Sequence, residues 1–178
     1  MNLKTRANFV DLINEKKYRI GAEIGVRSGA YSKYLIENSN LTILFSIDPW
    51  EKNPELFHGA EQSYKTACEN LNNPRCKMLK YFNEKIVNDF KDGSFDFIYI
   101  DAQHDYNSVK KDIANWYPKL ILEGCLAGHD YCDGWPGVKK AVNEFCEENN
   151  LELFLTGVGD RVGETDYNLP SWYIFKKS

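Results

Sequence analysis

Short apolar runs alternate with amphipathic patterns along residues 18–148 of this chain. Strands are predicted near 18–24, 42–47, 76–81, 95–100 and 120–128. Helical spacing predicts helices at 31–36, 56–71, 84–90, 106–117 and 137–148, with a further helix at 3–16 before the first strand. A chain that alternates strand and helix in this way builds a parallel sheet with helices on both faces.

The end of the chain has a different pattern. Residues 151–155 and 172–175 read as two strands joined by a polar segment without helical spacing. A direct link of this kind makes the last strand antiparallel. The predicted fold is therefore α/β: one domain over residues 1–178, with a Rossmann-like, doubly wound, mostly parallel seven-stranded sheet and an antiparallel C-terminal strand.

Composition narrows the function classes. The chain has 22 basic and 26 acidic residues and a net charge of −4. This charge does not indicate a basic surface that would bind a phosphate backbone, so we expect no nucleic-acid partner. The sequence contains neither a signal-peptide pattern nor a long apolar run, so no membrane partner is expected. Its five cysteines are odd in number and form no C-x-x-C pair, which favours reduced thiols and a cytoplasmic protein.

Polar residues follow each predicted strand of the parallel sheet, and ligands of open α/β sheets bind at that edge. These residues are 23–29 after the first strand, Asp48 after the second, Asn83 after the third, 101–104 after the fourth, and His129 with Asp130 after the fifth.

The first two of these positions predict a nucleoside-containing ligand. Gly25 and Gly29 have G-x-x-x-G spacing, which lets backbone approach a ligand but differs from the dinucleotide pattern G-x-G-x-x-G. Asp48 follows Glu23 by 25 positions, where a carboxylate can accept both ribose hydroxyls. The alternatives are a ligand-free tight turn and an Asp48 that begins a turn with Pro49.

The last two positions predict a metal site. Asp101, His129 and Asp130 offer oxygen and imidazole ligands for a divalent ion such as Mg, Mn, Fe or Zn. Neighbouring residues of a strand point to opposite sides, so His129 and Asp130 can share an ion only if the chain turns after Gly128. In the alternative interpretation, Asp105 caps the next helix and His129 is a structural histidine.

Several segments together resemble the class I S-adenosyl-L-methionine (SAM)-dependent methyltransferases. These segments are 22–29, 46–50, 95–106 and 127–131, followed by 137–142. The D-x-x-H and G-H-D-Y sequences at 101–104 and 128–131 are the most specific. They are similar to the small metal-assisted O-methyltransferases of family 24 type, the group of macrocin O-methyltransferase and cephalosporin hydroxylase.

The resemblance implies roles for individual residues. Glu23, Gly25 and Gly29 would contact the methionine part of SAM, Asp48 would bind the ribose, and Phe82, Asn83 and Trp50 would contact the adenine. Asp101, His129 and Asp130 would bind the divalent cation, with Mg expected before Mn or Fe. His104 would be the catalytic base. The family carries an acidic pair after the fifth strand, and His129 departs from that pattern.

The function implied is SAM-dependent O-methylation of a sugar, glycan or other small polyol hydroxyl, with an acceptor site that is open or completed in a homo-oligomer. Three alternatives remain: a metal-dependent oxygenase of the same fold, an NAD-dependent oxidoreductase, and a non-catalytic binding module. The missing G-x-G-x-x-G disfavours the oxidoreductase. A second glycine-rich stretch at 157–163 is interpreted as a loop because no helix follows it.

Overall fold

A computed structural model of the chain describes residues 3–51, 59–157 and 169–177. Its strands are β1 (Ile20–Ile24), β2 (Ile43–Ile47), β3 (Cys76–Leu79), β4 (Phe95–Ile100), β5 (Leu120–Gly128), β6 (Phe154–Leu155) and β7 (Trp172–Phe175). Its α-helices are α1 (Phe9–Lys16), α2 (Ala30–Asn38), α3 (Ala60–Asn70), α4 (Asn83–Ile86), α5 (Tyr106–Trp116) and α6 (Pro136–Glu148). Short 3-10 turns occupy Arg6–Asn8, Val87–Asp89 and Tyr117–Lys119.

The strands form one seven-stranded sheet in the order β3-β2-β1-β4-β5-β7-β6. The first five strands in this order run parallel, whereas β7 is antiparallel to both β5 and β6. This confirms the predicted fold class. The strand order reverses between β1 and β4, and a ligand crevice is expected at the carboxyl ends of strands where such a reversal occurs.

Both faces of the sheet are buried. Side chains of β4 alternate between them: Phe97 packs in the core with α1 and α2, while Ile98 packs in the core with α5 and α6. All six residues of β4 except Asp96 are buried. The near-continuous apolar run at 95–100 follows from this double burial.

Some predicted elements are shorter than the sequence indicated. The predicted strand at 151–155 forms only as Phe154–Leu155, an edge strand that, among the described residues, pairs only with β7. The predicted helix at 84–90 forms as α4 followed by a 3-10 turn. The start of the helix predicted at 56–71 and nearly all of the 157–163 loop lie outside the described residues.

All five cysteines lie within the described ranges and none forms a disulfide, as expected. Within those ranges, no helix is long and apolar enough to cross a membrane.

Candidate active site

A glycine turn between β1 and α2 lies against the end of β4. Gly25 and Gly29 have φ angles of 87° and 79°, a conformation that costs little only for glycine. A Cβ on Gly25 would overlap the backbone oxygen of Asp101. The sequence therefore needs glycine at position 25 for both conformation and space, and the two predicted halves of the site are in direct contact there.

Glu23 lies beneath this turn and is only 2% exposed. Ser32 on α2 donates a hydrogen bond to its carboxylate, and the Ser32 and Ser46 hydroxyl oxygens are 2.7 Å apart. Burial raises the pKa of Glu23 to about 8, although the hydrogen bond from Ser32 and the charge of Arg6 oppose the shift. The predicted contact of Glu23 with the methionine part of SAM stays a prediction.

Asp48 ties the turn to the end of β2. Its Oδ2 accepts the backbone N–H groups of Val26 and Arg27, each at 2.9 Å, and its Oδ1 accepts that of Trp50 at 2.7 Å. A carboxylate offers about four acceptor positions, so these bonds leave room for roughly one further donor. The ribose contact expected here would have to share an already occupied carboxylate, and it stays a prediction.

Trp50, one of the predicted adenine contacts, is mostly buried. It is 6% exposed, its indole Nε1 donates to the backbone oxygen of Arg27 at 2.6 Å, and its ring centroid is 5.2 Å from that of Tyr64. These contacts hold Trp50 against the glycine turn and leave little of the indole accessible to adenine.

Phe82 and Asn83, the other predicted adenine contacts, lie where α4 begins. Asn83 lies close enough to the carboxyl group of Asp112 on α5 to affect its pKa. Burial raises the pKa of Asp112 to about 7, and the interaction with Asn83 opposes that shift. The Oδ1 atom of Asn83 is buried and has no hydrogen-bond partner among the described residues. It is therefore a candidate acceptor for the adenine amino group.

Asp101, His104 and Asp130 converge at the ends of β4 and β5. One potential ligand atom from each lies within 4.8 Å of the others. Nε2 of His104 is 2.7 Å from Oδ2 of Asp130 and 3.7 Å from Oδ1 of Asp101. Asp130 has a φ of 61°, so the chain does turn after β5. Asp105 also acts as the N-cap of α5, accepting the N–H of Ser108 at 3.1 Å.

His129, the predicted third ligand, lies beside this cluster. Its Nδ1 is 3.2 Å from Oδ1 of Asp130 and 4.0 Å from Oδ2 of Asp101. The three-residue group of possible ligands contains His104 where the sequence predicted His129. His129 thus contacts one carboxylate oxygen of Asp130, and His104 contacts the other.

The cluster is strongly ionic. The carboxylates of Asp101 and Asp130 raise the pKa of His104 to about 9 despite partial burial. Burial alone would raise the pKa of Asp130, but its contacts with His104 and His129 outweigh burial and lower it. Without a cation, His104 is thus an imidazolium that already carries the proton a base would accept.

Two contributors to the site were not predicted as site residues. Trp135 is 42% exposed and stacks on His104, with ring centroids 4.5 Å apart. Arg6 is 8% exposed, and its Nη1 lies 3.7 Å from Oδ2 of Asp101. A capping box formed by Thr5 and Asn8 marks the turn containing Arg6. That local signal does not say which strand end the turn will cover.

Comparison with known proteins places this geometry in a family. Residues 22–131, more than half of the chain, match the Methyltransf_24 family model, described as a methyltransferase domain. An uncharacterized protein, y4gI, from Sinorhizobium fredii is 28% identical over 114 residues. That alignment covers 62% of this chain and only 12% of the much longer relative.

Solved structures share the fold at low sequence identity. An O-methyltransferase from Bacillus cereus in complex with SAH has a TM-score of 0.68 and 16% identity, covering 96% of this chain and 80% of its own. A precorrin-6y C5,15-methyltransferase from Geobacter metallireducens has a TM-score of 0.63 and 17% identity, and the match covers 89% of this chain and 81% of the other. Spermidine synthase from Thermotoga maritima has a TM-score of 0.64 and 13% identity, and the match covers 98% of this chain and 60% of the other.

These names denote different reactions, so the shared fold does not define the acceptor. The family match spans the glycine turn, Asp48 and the Asp101–His104–Asp130 cluster, and it favours the methyltransferase over the nicotinamide enzyme. The chain belongs to the Methyltransf_24 family of methyltransferase domains.

Proposed function

We propose that the chain transfers the methyl group of SAM to a hydroxyl oxygen of a sugar or other small polyol, assisted by a divalent cation. The observation that carries this proposal is the position of the Asp101–His104–Asp130 cluster beside the glycine turn. A methyl donor held at the turn would face an acceptor held at the cluster. Such alignment supplies a large part of the acceleration of a bimolecular transfer.

The ligand atoms fit a divalent transition metal. Two carboxylates and one imidazole come together within 4.8 Å. Mg²⁺ prefers oxygen ligands, whereas imidazole suits Fe and Zn, and carboxylates also suit Mn. We therefore place Mn²⁺ or Fe²⁺ ahead of Mg²⁺, the reverse of the order expected from the sequence. Vicinal hydroxyl groups of the acceptor would fill the remaining positions.

The reaction needs an acceptor oxygen that has lost its proton. The oxygen forms a bond to the methyl carbon, the carbon–sulfur bond breaks, and S-adenosylhomocysteine leaves with the electron pair. A cation bound at the cluster would stabilise the alkoxide by its charge. In this proposal, Asp101 and Asp130 hold that cation, whose charge would favour the neutral imidazole of His104. Neutral His104 then serves as a third ligand or receives the proton of the acceptor hydroxyl.

Trp135 supports an acceptor with a flat, partly apolar ring. Its exposed indole lies next to His104, at the open side of the cluster. Binding pockets commonly combine an apolar surface of this kind with a few convergent polar groups. A sugar ring offers both an apolar face and vicinal hydroxyls. A second subunit that covers this side would complete the acceptor site.

Calorimetry followed by a transfer assay tests the proposal. We expect binding of S-adenosylhomocysteine and none of NAD. We then expect labelled methyl transfer to vicinal diols with Mn²⁺ or Fe²⁺, and its loss with a chelator. Transfer that persists in chelator would remove the cation from the mechanism. Oxygen consumption with ferrous ion and no methyl donor would instead support the oxygenase.

His104→Ala separates the two roles of His104. Affinity for S-adenosylhomocysteine should stay nearly unchanged while turnover collapses. If His104 is a ligand, Mn²⁺ affinity falls by at least about tenfold and excess cation restores part of the activity. If it is the base, Mn²⁺ affinity is retained and excess cation has no effect. Gln103→Ala, at the exposed neighbouring position, is the control. A fully active His104→Ala enzyme would exclude both roles.

A further inference from the structure

The N-terminal segment brings a buried cation to the donor side of the site. Arg6 is 8% exposed, and its guanidinium carbon lies 3.8 Å from the centre of the Tyr31 ring and 5.3 Å from that of Tyr99. Its Nη1 is 3.7 Å from Oδ2 of Asp101, an ion-pair distance longer than a hydrogen bond. Aromatic faces and a carboxylate together offset the cost of burying this charge.

Arg6 is held over the first turn of α2. The hydroxyl of Tyr31, the second residue of that helix, donates to the backbone oxygen of Arg6 at 3.1 Å. The helix begins after Gly29, which has no side chain to cap the first-turn N–H groups. Both the guanidinium and the start of the helix favour an anion at this place.

The surrounding charges define which anion fits. Glu23, Asp48 and Asp101 are acidic, and the charge of Arg6 partly offsets the effect of burial on the pKa of Glu23. The amino-acid end of SAM carries an ammonium group and a carboxylate. The carboxylates of Asp48 and Asp101 suit the ammonium but would repel the carboxylate of SAM, whereas an arginine binds a carboxylate through paired hydrogen bonds.

We propose that the guanidinium of Arg6 binds the carboxylate of the methionine part of SAM, and that Asp101 and Tyr31 position it. This inference rests on the SAM dependence of the proposed function. It adds a binding residue from outside the family-matched segment, which begins at residue 22.

A pair of donor molecules isolates this contact. SAM and decarboxylated SAM both carry the sulfonium and the ammonium, and only SAM carries the carboxylate. By calorimetry, we expect Arg6→Met to weaken SAM binding by roughly tenfold to hundredfold, the usual range for a lost charge-assisted bond. Decarboxylated SAM should bind the variant as it binds the original protein.

Two further variants serve as comparisons. Arg6→Lys keeps the charge but loses the planar pair of donors, so it should fall between the original protein and Arg6→Met. Arg19→Met removes a cation just before β1, at the end of the strand away from the site. It should change the affinity for neither SAM nor decarboxylated SAM. Unchanged binding of decarboxylated SAM also shows that Arg6→Met is folded.

The remaining outcomes contradict the proposal in distinguishable ways. Equal weakening of both donors in Arg6→Met would make Arg6 a structural residue. Unchanged affinity for both would exclude it from the donor site. If the original protein bound neither donor, SAM dependence itself would fail, whatever the behaviour of Arg6.

Discussion

The donor and acceptor sides of the site hold their acidic side chains differently. On the donor side, Glu23 is bonded to Ser32, and Asp48 accepts three backbone N–H groups. On the acceptor side, the carboxylates of Asp101 and Asp130 face the imidazole of His104. The first pair is satisfied by neutral groups of the fold, whereas the second is satisfied by a positive charge.

This difference shows two ways of preparing a site. Neutral donors in fixed positions keep the donor side in one geometry, and no ion is needed to hold it. Carboxylates paired with an imidazolium are open to exchange, because a metal ion can take the place of the imidazolium charge. Substitutions that alter backbone geometry should therefore damage the donor side. Substitutions that remove a charge should damage the acceptor side.

Gly25→Ala should have the largest effect. The new Cβ would overlap the backbone of Asp101 at a φ of 87°, so we expect a loss of at least about 3 kcal/mol in the free energy of unfolding. Gly93 is the matched control: its φ is 71°, but nothing lies within 4 Å of its Cβ position. Gly93→Ala should cost about 1 kcal/mol.

Urea unfolding of both variants measures this contrast. Equal costs for the two substitutions would mean that conformation alone makes Gly25 necessary. The close packing of β1 against the end of β4 would then contribute nothing to the stability of the donor side.

Asp130→Asn should have the next largest effect, and the quantity that it changes is the affinity for the cation. The amide keeps the size of the side chain but loses its charge, so Mn²⁺ affinity should fall by roughly a hundredfold, measured by electron paramagnetic resonance. Asp133→Asn removes an exposed carboxylate that pairs with Lys139 nearby and should leave Mn²⁺ affinity unchanged. Equal Mn²⁺ binding by both variants would remove Asp130 from the cation site.

Per pH unit, Glu23→Gln should have the smallest effect of the three, and it should appear as a change of stability with pH. Because the folded-state pKa is about 8 against an ordinary 4.5, the folded protein holds a proton that the unfolded chain releases between these values. Glu23 thus lowers stability as pH rises through this window, by at most about 1.4 kcal/mol per pH unit.

The variant should lose this part of the slope of unfolding free energy against pH. Unfolding in urea at several pH values from 4.5 to 8 gives the slope. Glu148→Gln, at an exposed position of α6, is the control and should keep the original slope. Identical slopes for both variants would show that Glu23 is not a buried acid of raised pKa.

The metal cluster shows how far the sequence predicts the site. Asp101 and Asp130 were predicted from their positions after neighbouring strands, and the structure brings both into the cluster. The sequence did not predict that His104, and not His129, joins the two carboxylates. Which histidine does so depends on the left-handed conformation of Asp130 and on where α5 begins. Strand alternation fixes which end of the sheet a residue occupies but not where a loop directs its side chain.

The order of strands and helices is encoded locally, since each element needs only its own hydrophobic period to bury one face. The sequence alone therefore determined the seven-stranded fold and the edge at which the polar residues gather. The meeting of Arg6 with Tyr31 and Asp101 depends on how the N-terminal turn packs over α2, which no local pattern encodes. Only the tertiary structure decided that contact, because it joins segments that are distant along the chain.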